Sequence, residues 1–183
     1  ILPIITNSGV VIIRSIATKG DFANLLKQVL VKRIPYFVGV PDVYSALSRA
    51  KLPWYFHMLH AVKGFISGAA PLAEETMRKF GESFKRGKLL QGYGISECSP
   101  VVSTNVPWSN RIGSVGQALP SYQVECFDEQ MQPVARDAIG EICVKGDCVM
   151  LGYFNRPNDT AEAIVDGWFR TGDIGKVDQD GFI

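Results

Sequence analysis

Leu89-Leu90-Gln91-Gly92-Tyr93-Gly94-Ile95-Ser96-Glu97 is the stretch on which the reading of this chain turns. The apolar pair Leu89-Leu90 reads as the end of a buried strand, and the two glycines that follow read as a strand-to-loop turn. Glycine lets backbone approach a ligand closely, and Tyr93 offers a flat face on which a purine could stack. Ser96 can donate to a phosphate oxygen, and Glu97 is the hard oxygen ligand that Mg²⁺ prefers. The same residues also suit a plain turn whose Tyr93 fills core and whose Glu97 faces water.

Upstream, strands and helices alternate. Val10-Val11-Ile12-Ile13 reads as a strand buried on both faces, and Asp21 as the cap of a helix with Phe22, Leu25, Leu26, Val29 and Leu30 at helical spacing. Tyr36–Val40 reads as a second strand, and Pro41 opens a helix through Val43, Tyr44 and Leu47. After a loop around Leu52-Pro53-Trp54, Lys63–Ser67 reads as a third strand running into Gly68-Ala69-Ala70-Pro71, and Pro71 as the start of a helix from Leu72 to Phe80. Lys88–Leu90 is the fourth strand. This order implies an α/β fold with a parallel sheet and right-handed crossovers, whose ligands lie beyond the carboxyl ends of the strands. Gly68-Ala69-Ala70 and Gly92-Tyr93-Gly94 both follow such ends and should share one cleft.

Downstream of Gly113 the period becomes two. Tyr122, Val124 and Cys126 alternate with Gln123 and Glu125, and Ile142 and Val144 alternate with Glu141, Cys143 and Lys145, which predicts strands with one wet face. Frequent glycines and one brief helix after Asn158 complete a small antiparallel, barrel-like part. The expected division is 1–108 for the α/β part and 109–183 for the β-rich part. In the second, Gly167-Trp168-Phe169-Arg170-Thr171-Gly172-Asp173 sets a carboxylate just after a glycine. Asp173 suits two vicinal hydroxyls of a ribose, or else satisfies its own turn backbone. Trp168 is expected in the core and Arg170 solvated or ion-paired.

Composition excludes several partners. Nineteen Lys and Arg against eighteen Asp and Glu in 183 residues leave a charge of +1, so no field of one sign points to nucleic acid. The four cysteines form no C-x-x-C pair and have two histidines for company, His57 and His60, which argues against zinc and for buried or half-buried thiols of a reducing, cytoplasmic compartment. No apolar run is long enough to cross a bilayer. The start lacks Met and a signal peptide, and Asp180-Gly181-Phe182-Ile183 stops in mid-hairpin, so a fragment is expected.

Taken together, Leu90–Pro100, Ser67–Leu72, Gly140-Glu141-Ile142, Gly152-Tyr153-Phe154-Asn155 and Gly167–Asp173 resemble the successive signatures of the adenylate-forming superfamily, and within it the AMP-forming acyl-CoA synthetases that act on fatty acids. The resemblance runs from about Leu2 to Ile183. It implies an acid–thiol ligase that joins a carboxylic acid to ATP as an acyl-adenylate and passes the acyl group to coenzyme A. Position by position, it implies that Gly68, Ala69 and Ala70 line the adenine and acyl side of the cleft. Gln91 and Gly92 border adenine and the acyl tunnel, Tyr93 stacks on the purine, and Gly94 and Ile95 continue the nucleotide wall. Ser96, where the family usually has threonine, keeps a hydroxyl for the α-phosphate. Glu97 matches the Mg²⁺ ligand and Asp173 the ribose-binding aspartate. The family's phosphate loop and adenylation lysine are expected outside this chain, so it is expected not to catalyse adenylation alone, and peripheral membrane association would belong to the parent enzyme. Uncovered sheet surface makes self-association an expectation. The alternatives are an acyl-AMP ligase, an aryl-CoA ligase, another adenylation domain, or a non-catalytic nucleotide-binding relative.

Overall fold

A computed structural model describes residues 19–68 and 70–183; the expected strand over Val10–Ile13 and the residue Ala69 lie outside the described residues. Helix α1 (Lys19–Val31) buries Leu25 and Val29 on one stripe, with Phe22, Leu26 and Leu30 packed beside them. Asp21 stands within its first turn, where a carboxylate meets the positive end of the helix dipole, and not at the cap. Strand β1 (Tyr36–Gly39) leads into α2 (Pro41–Arg49), with Pro41 in the first turn as its fixed φ favours. The Leu52–Trp54 stretch, expected as loop, runs into a short helix α3 (Trp54–Leu59), which turns Phe56 into the core and leaves Trp54 exposed.

Strand β2 (Gly64–Ser67) is followed by α4 (Glu74–Ser83) and β3 (Lys88–Tyr93). The helix starts at Glu74 and not near Leu72: Ala73 keeps an extended backbone at the cap while Leu72 turns into the core. Strand β3 outlasts its expected end at Leu90, because Gly92 and Tyr93 find antiparallel partners on β4 (Ser103–Thr104), which in turn pairs with β5 (Gln117–Ala118). The sheet order is therefore β1-β2-β3-β4-β5, with β1, β2 and β3 parallel and the last two antiparallel. The parallel sheet expected of the strand-helix alternation is present over β1 to β3, and two antiparallel strands extend it. A parallel neighbour needs a crossover of about a dozen residues or more, and Gly94–Val102 is too short to supply it. In relation to the division at 108/109, β4 lies before it and β5 after it, so one sheet spans it.

The core under this sheet is aromatic. Phe80 and Phe84 stack with centroids 4.3 Å apart, and Phe65 meets Phe80 edge-on at 4.9 Å. Tyr44 is fully buried, yet its hydroxyl donates to the Ile66 carbonyl at 2.6 Å, with the Phe37 carbonyl within reach at 3.1 Å as the alternative acceptor, so its polar end is satisfied.

The second sheet holds β6 (Tyr122–Phe127), β7 (Gly140–Gly146), β8 (Ile164–Val165) and β9 (Trp168–Gly175) in the antiparallel order β6-β7-β9-β8, with helix α5 (Pro157–Ala163) preceding β8. It is a small curled sheet with Tyr122, Val124, Cys126, Ile142, Val144 and Phe169 on its inner face. Cys143, on the wet face by its alternation but read with the other cysteines as a buried or half-buried thiol, is fully buried: a bulge between Glu141 and Cys143 shifts the register, and its cross-strand partner Arg170 forms an ion pair with Glu141 beside it. Trp168 is half-buried and not core, its ring on Phe127 at 5.1 Å. Arg170 is ion-paired, as read. All four thiols are free, three of them buried and Cys148 half-buried.

Candidate functional site

The segment after β3 is held from both sides. A side chain at Gly94 would put its Cβ 1.8 Å from the carbonyl oxygen of Pro100, so only glycine lets the two backbones pass. Beyond it, Ser96–Cys98 forms a single 3₁₀ turn closed by Ser99 in the left-handed region at φ 53°. That turn is tied to the loop after β7 and to the start of β6. The Met150 amide donates to the Glu97 carbonyl at 2.8 Å, the Ser99 hydroxyl to the Cys148 carbonyl at 2.9 Å, and the Tyr122 hydroxyl to the Cys98 carbonyl.

Asp173 is aimed by its neighbours. Gly172 takes a φ of +75°, its amide donating to Glu141 Oε1 at 3.0 Å, and the Asp173 amide donates to the Thr171 hydroxyl at 3.1 Å. Thr171 in turn donates to the Ile142 carbonyl at 2.7 Å, and Arg170 holds Glu141 through Nε at 3.0 Å and Nη2 at 2.7 Å. The turn backbone is thus satisfied by Glu141 and Thr171, which leaves the exposed Asp173 carboxylate for other partners.

One of those partners is Tyr93, whose hydroxyl donates to Asp173 Oδ2 at 2.5 Å, joining positions 80 apart in the chain. Burial first, and then this carboxylate, raises the Tyr93 phenol above its ordinary range, so it stays a donor. A second bond runs the other way across the same junction: the Tyr153 hydroxyl donates to Glu97 Oε1 at 3.1 Å. Its phenol is also raised, by burial and then by Glu97. Each carboxylate therefore takes a tyrosine from across the junction, Asp173 of β9 from β3 and Glu97 of the 3₁₀ turn from the loop after β7.

The remaining expected residues fall as follows. Ser67 of β2 lies in register with Gln91 of β3, so Gly68 and Gly92 leave neighbouring parallel strands side by side. Gly68 is half-buried with open space where a Cβ would go, Ala70 is exposed, and Gln91 is buried. Ile95 is half-buried against the second core and Ser96 is exposed. An open depression of about 510 Å³ lies along Leu151, Gly152, Tyr153, Pro157 and Thr160, beside this junction and sharing Tyr153 with it.

Sequence reading missed the supporting residues. Tyr153 and Thr171 stood inside quoted motifs without a role, and no spacing signals that a phenol will meet a carboxylate 56 positions away. Asn105 was overlooked as well. It is almost fully buried, donates to the carbonyls of Gln91 at 3.2 Å and Ser114 at 2.6 Å, and accepts from the Arg111 amide at 2.9 Å, so it knits β3 to the loop before β5.

Comparison with known proteins bears on what this arrangement is. A long-chain-fatty-acid–CoA ligase of Bacillus subtilis (strain 168) is 40% identical over 167 residues, covering 90% of this chain and 29% of that relative. A feruloyl-CoA synthase of Amycolatopsis sp is 33% identical over 186 residues, covering 99% of this chain and 36% of the relative. The solved structure of ATP-bound MatB from Rhodopseudomonas palustris superposes with a TM-score of 0.79 at 32% identity, covering 87% of this chain and 31% of that one. The chain thus spans well under half the length of the proteins it matches. The model of the family described as AMP-binding enzyme matches residues 1–154, which take in the Gly68 and Gly92 strand ends, the Ser96–Cys98 turn and Tyr153, and on that match the chain belongs to the AMP-binding enzyme family.

Proposed function

We propose that this chain forms the adenine and ribose side of the nucleotide site in an AMP-forming acyl-CoA synthetase, an enzyme that activates a fatty acid with ATP and transfers it to coenzyme A. The observation that carries this reading is the Tyr93–Asp173 hydrogen bond, which brings the glycine-flanked aromatic and the carboxylate into one junction. In this reading, Gly68, Ala69, Ala70, Gln91 and Gly92 flank adenine and the acyl group, and the Tyr93 ring lies against the purine. Gly94 and Ile95 continue that wall, Ser96 donates to the α-phosphate, and Asp173 accepts from the ribose hydroxyls with the oxygen that Tyr93 leaves. The chemistry asked of these residues is positioning and charge stabilisation, which need no His-centred acid–base pair.

The donor set suits Mg²⁺ held through the nucleotide. Among the described residues no group of three or more His, Cys, Asp or Glu could cage a metal ion by itself. Mg²⁺ is ordinarily held by one or two carboxylates together with substrate phosphates, and Glu97 supplies one half-buried carboxylate with an oxygen to spare. The ion would neutralise phosphate charge when bound.

The fatty-acid ligase match at 40% identity favours a fatty acid, and the feruloyl-CoA synthase match at 33% favours an aryl acid as the second reading. Acid-dependent exchange of pyrophosphate into ATP by the full-length protein, across both classes of acid, separates the two. Asp173→Ala should weaken ATP binding about tenfold or more, because hydrogen bonds to a charged group are each worth roughly 1.5–3 kcal/mol. Unchanged ATP affinity in that variant would refute the ribose role. Self-association through the exposed Tyr36 and Val38 of β1 and the adjoining Val40 belongs to the same proposal.

A further inference from the structure

We infer that Tyr153 is a positioning residue for the metal–nucleotide complex: it holds one oxygen of Glu97 so that the other is presented to the ion. The inference rests on the proposed reading of Glu97 and adds a residue to it.

Three observations support it. First, Glu97 is held at two points by one segment, its carbonyl by the Met150 amide at 2.8 Å and its Oε1 by the Tyr153 hydroxyl at 3.1 Å. A free glutamate samples many rotamers, and ordering one costs up to about 2 kcal/mol, so a carboxylate already tethered at one oxygen binds an ion without that loss. Second, Tyr153 is itself anchored. Its amide donates to the Thr160 hydroxyl at 2.9 Å, its carbonyl accepts from the Arg156 amide at 3.1 Å, and Thr160 donates to the Arg156 carbonyl at 2.9 Å. Gly152 makes this possible with a φ of +151°, and a Cβ there would stand 2.6 Å from Thr160 Cγ2. The start of α5 therefore sets the Tyr153 backbone, and Tyr153 sets the carboxylate. Third, the bond pairs with Tyr93–Asp173 as a reciprocal clasp: β3 and the turn after it supply Tyr93 and Glu97, and β9 and the loop after β7 supply Asp173 and Tyr153. Partners that orient metal ligands are worth about 10–100-fold in metal affinity.

The test is ATP affinity of the full-length protein measured by calorimetry, once with EDTA and once with saturating Mg²⁺; the ratio is the gain that the ion confers. Tyr153→Phe removes a single hydroxyl from an exposed ring, and a melting curve checks that the fold is kept. Its expected result is an unchanged affinity in EDTA with the Mg²⁺ gain cut about tenfold, toward the low end of that range. Glu97→Gln should lose the gain as well, and the double variant should lose little more than Glu97→Gln, because both act on one ligand. A Tyr153→Phe protein that keeps the full gain while Glu97→Gln loses it overturns the positioning role and leaves the nucleotide reading standing. Equal weakening in EDTA and Mg²⁺ would also overturn it, since that is the mark of a merely structural residue. If Glu97→Gln keeps the gain, the reading of Glu97 itself fails and this inference falls with it.

Discussion

Both ring nitrogens of His60 are buried without a hydrogen-bond partner among the described residues, in a ring packed near Phe56, Phe65 and Phe84. Burial, followed by the neighbouring His57 and Arg86, lowers its pKa from the ordinary 6.5. The folded state therefore resists a proton that the unfolded chain accepts, so the unfolded chain binds more protons below about pH 6.5 and stability falls as pH falls through that value. His60→Phe should flatten this acid limb, read as the urea midpoint at pH 7.5 against pH 5.5. An equal fall in both proteins would remove His60 as its cause. The opposite sign holds for the buried thiols. Burial pushes Cys98 up to about 11 and Cys143 up to about 12, so they stay protonated and poorly nucleophilic near neutral pH.

At the scale of elements, the two glycines that flank the site do different work. Gly94 passes under the Pro100 carbonyl at a distance no Cβ tolerates, whereas Gly68 has nothing within 4 Å of the position its Cβ would take. Gly94→Ala must push the Ser96–Cys98 turn off the second sheet, at a cost of about 3 kcal/mol, and for a chain of this size a melting temperature lower by about 10 °C follows. Gly68→Ala should stay within about 0.5 kcal/mol. Thermal unfolding of the two variants side by side decides it, and a Gly94→Ala protein as stable as Gly68→Ala would show that the turn moves freely. The extension of β3 to Tyr93 belongs to this scale too. Its last two residues are strand because β4 offers them backbone partners, a fact no window around Gly92 contains.

Across the whole molecule the two sheets are joined by backbone and by charge. The Val115 amide donates to the Ile183 carbonyl at 2.9 Å, and the Ile183 amide returns a bond to Gly116 at 3.0 Å. Arg111 spans Asp178 and Asp180 and lies over the Phe182 ring at 4.0 Å. On the other side, Tyr36 and Val38 of β1, with Val40 just beyond it, are exposed at the edge of the described sheet, and Val38 is 62% exposed. Apolar surface along a strand edge favours association, so the 183-residue chain should show a sedimentation coefficient that rises with concentration, and Val38→Lys should suppress the rise. A concentration-independent monomer would refute this. The order of elements, the helix start at Pro41 and the inner face of β6 were legible in the chain, because helical and alternating periods are local. Tertiary structure alone decided that β4 and β5 run antiparallel, and that Tyr93 meets Asp173 while Tyr153 meets Glu97. The strand pairing depends on backbone that returns from beyond any local window, Gly92 with Thr104 and Ser103 with Ala118, and the two phenol–carboxylate bonds on side chains 80 and 56 positions away; distance through space leaves no periodic trace along a sequence.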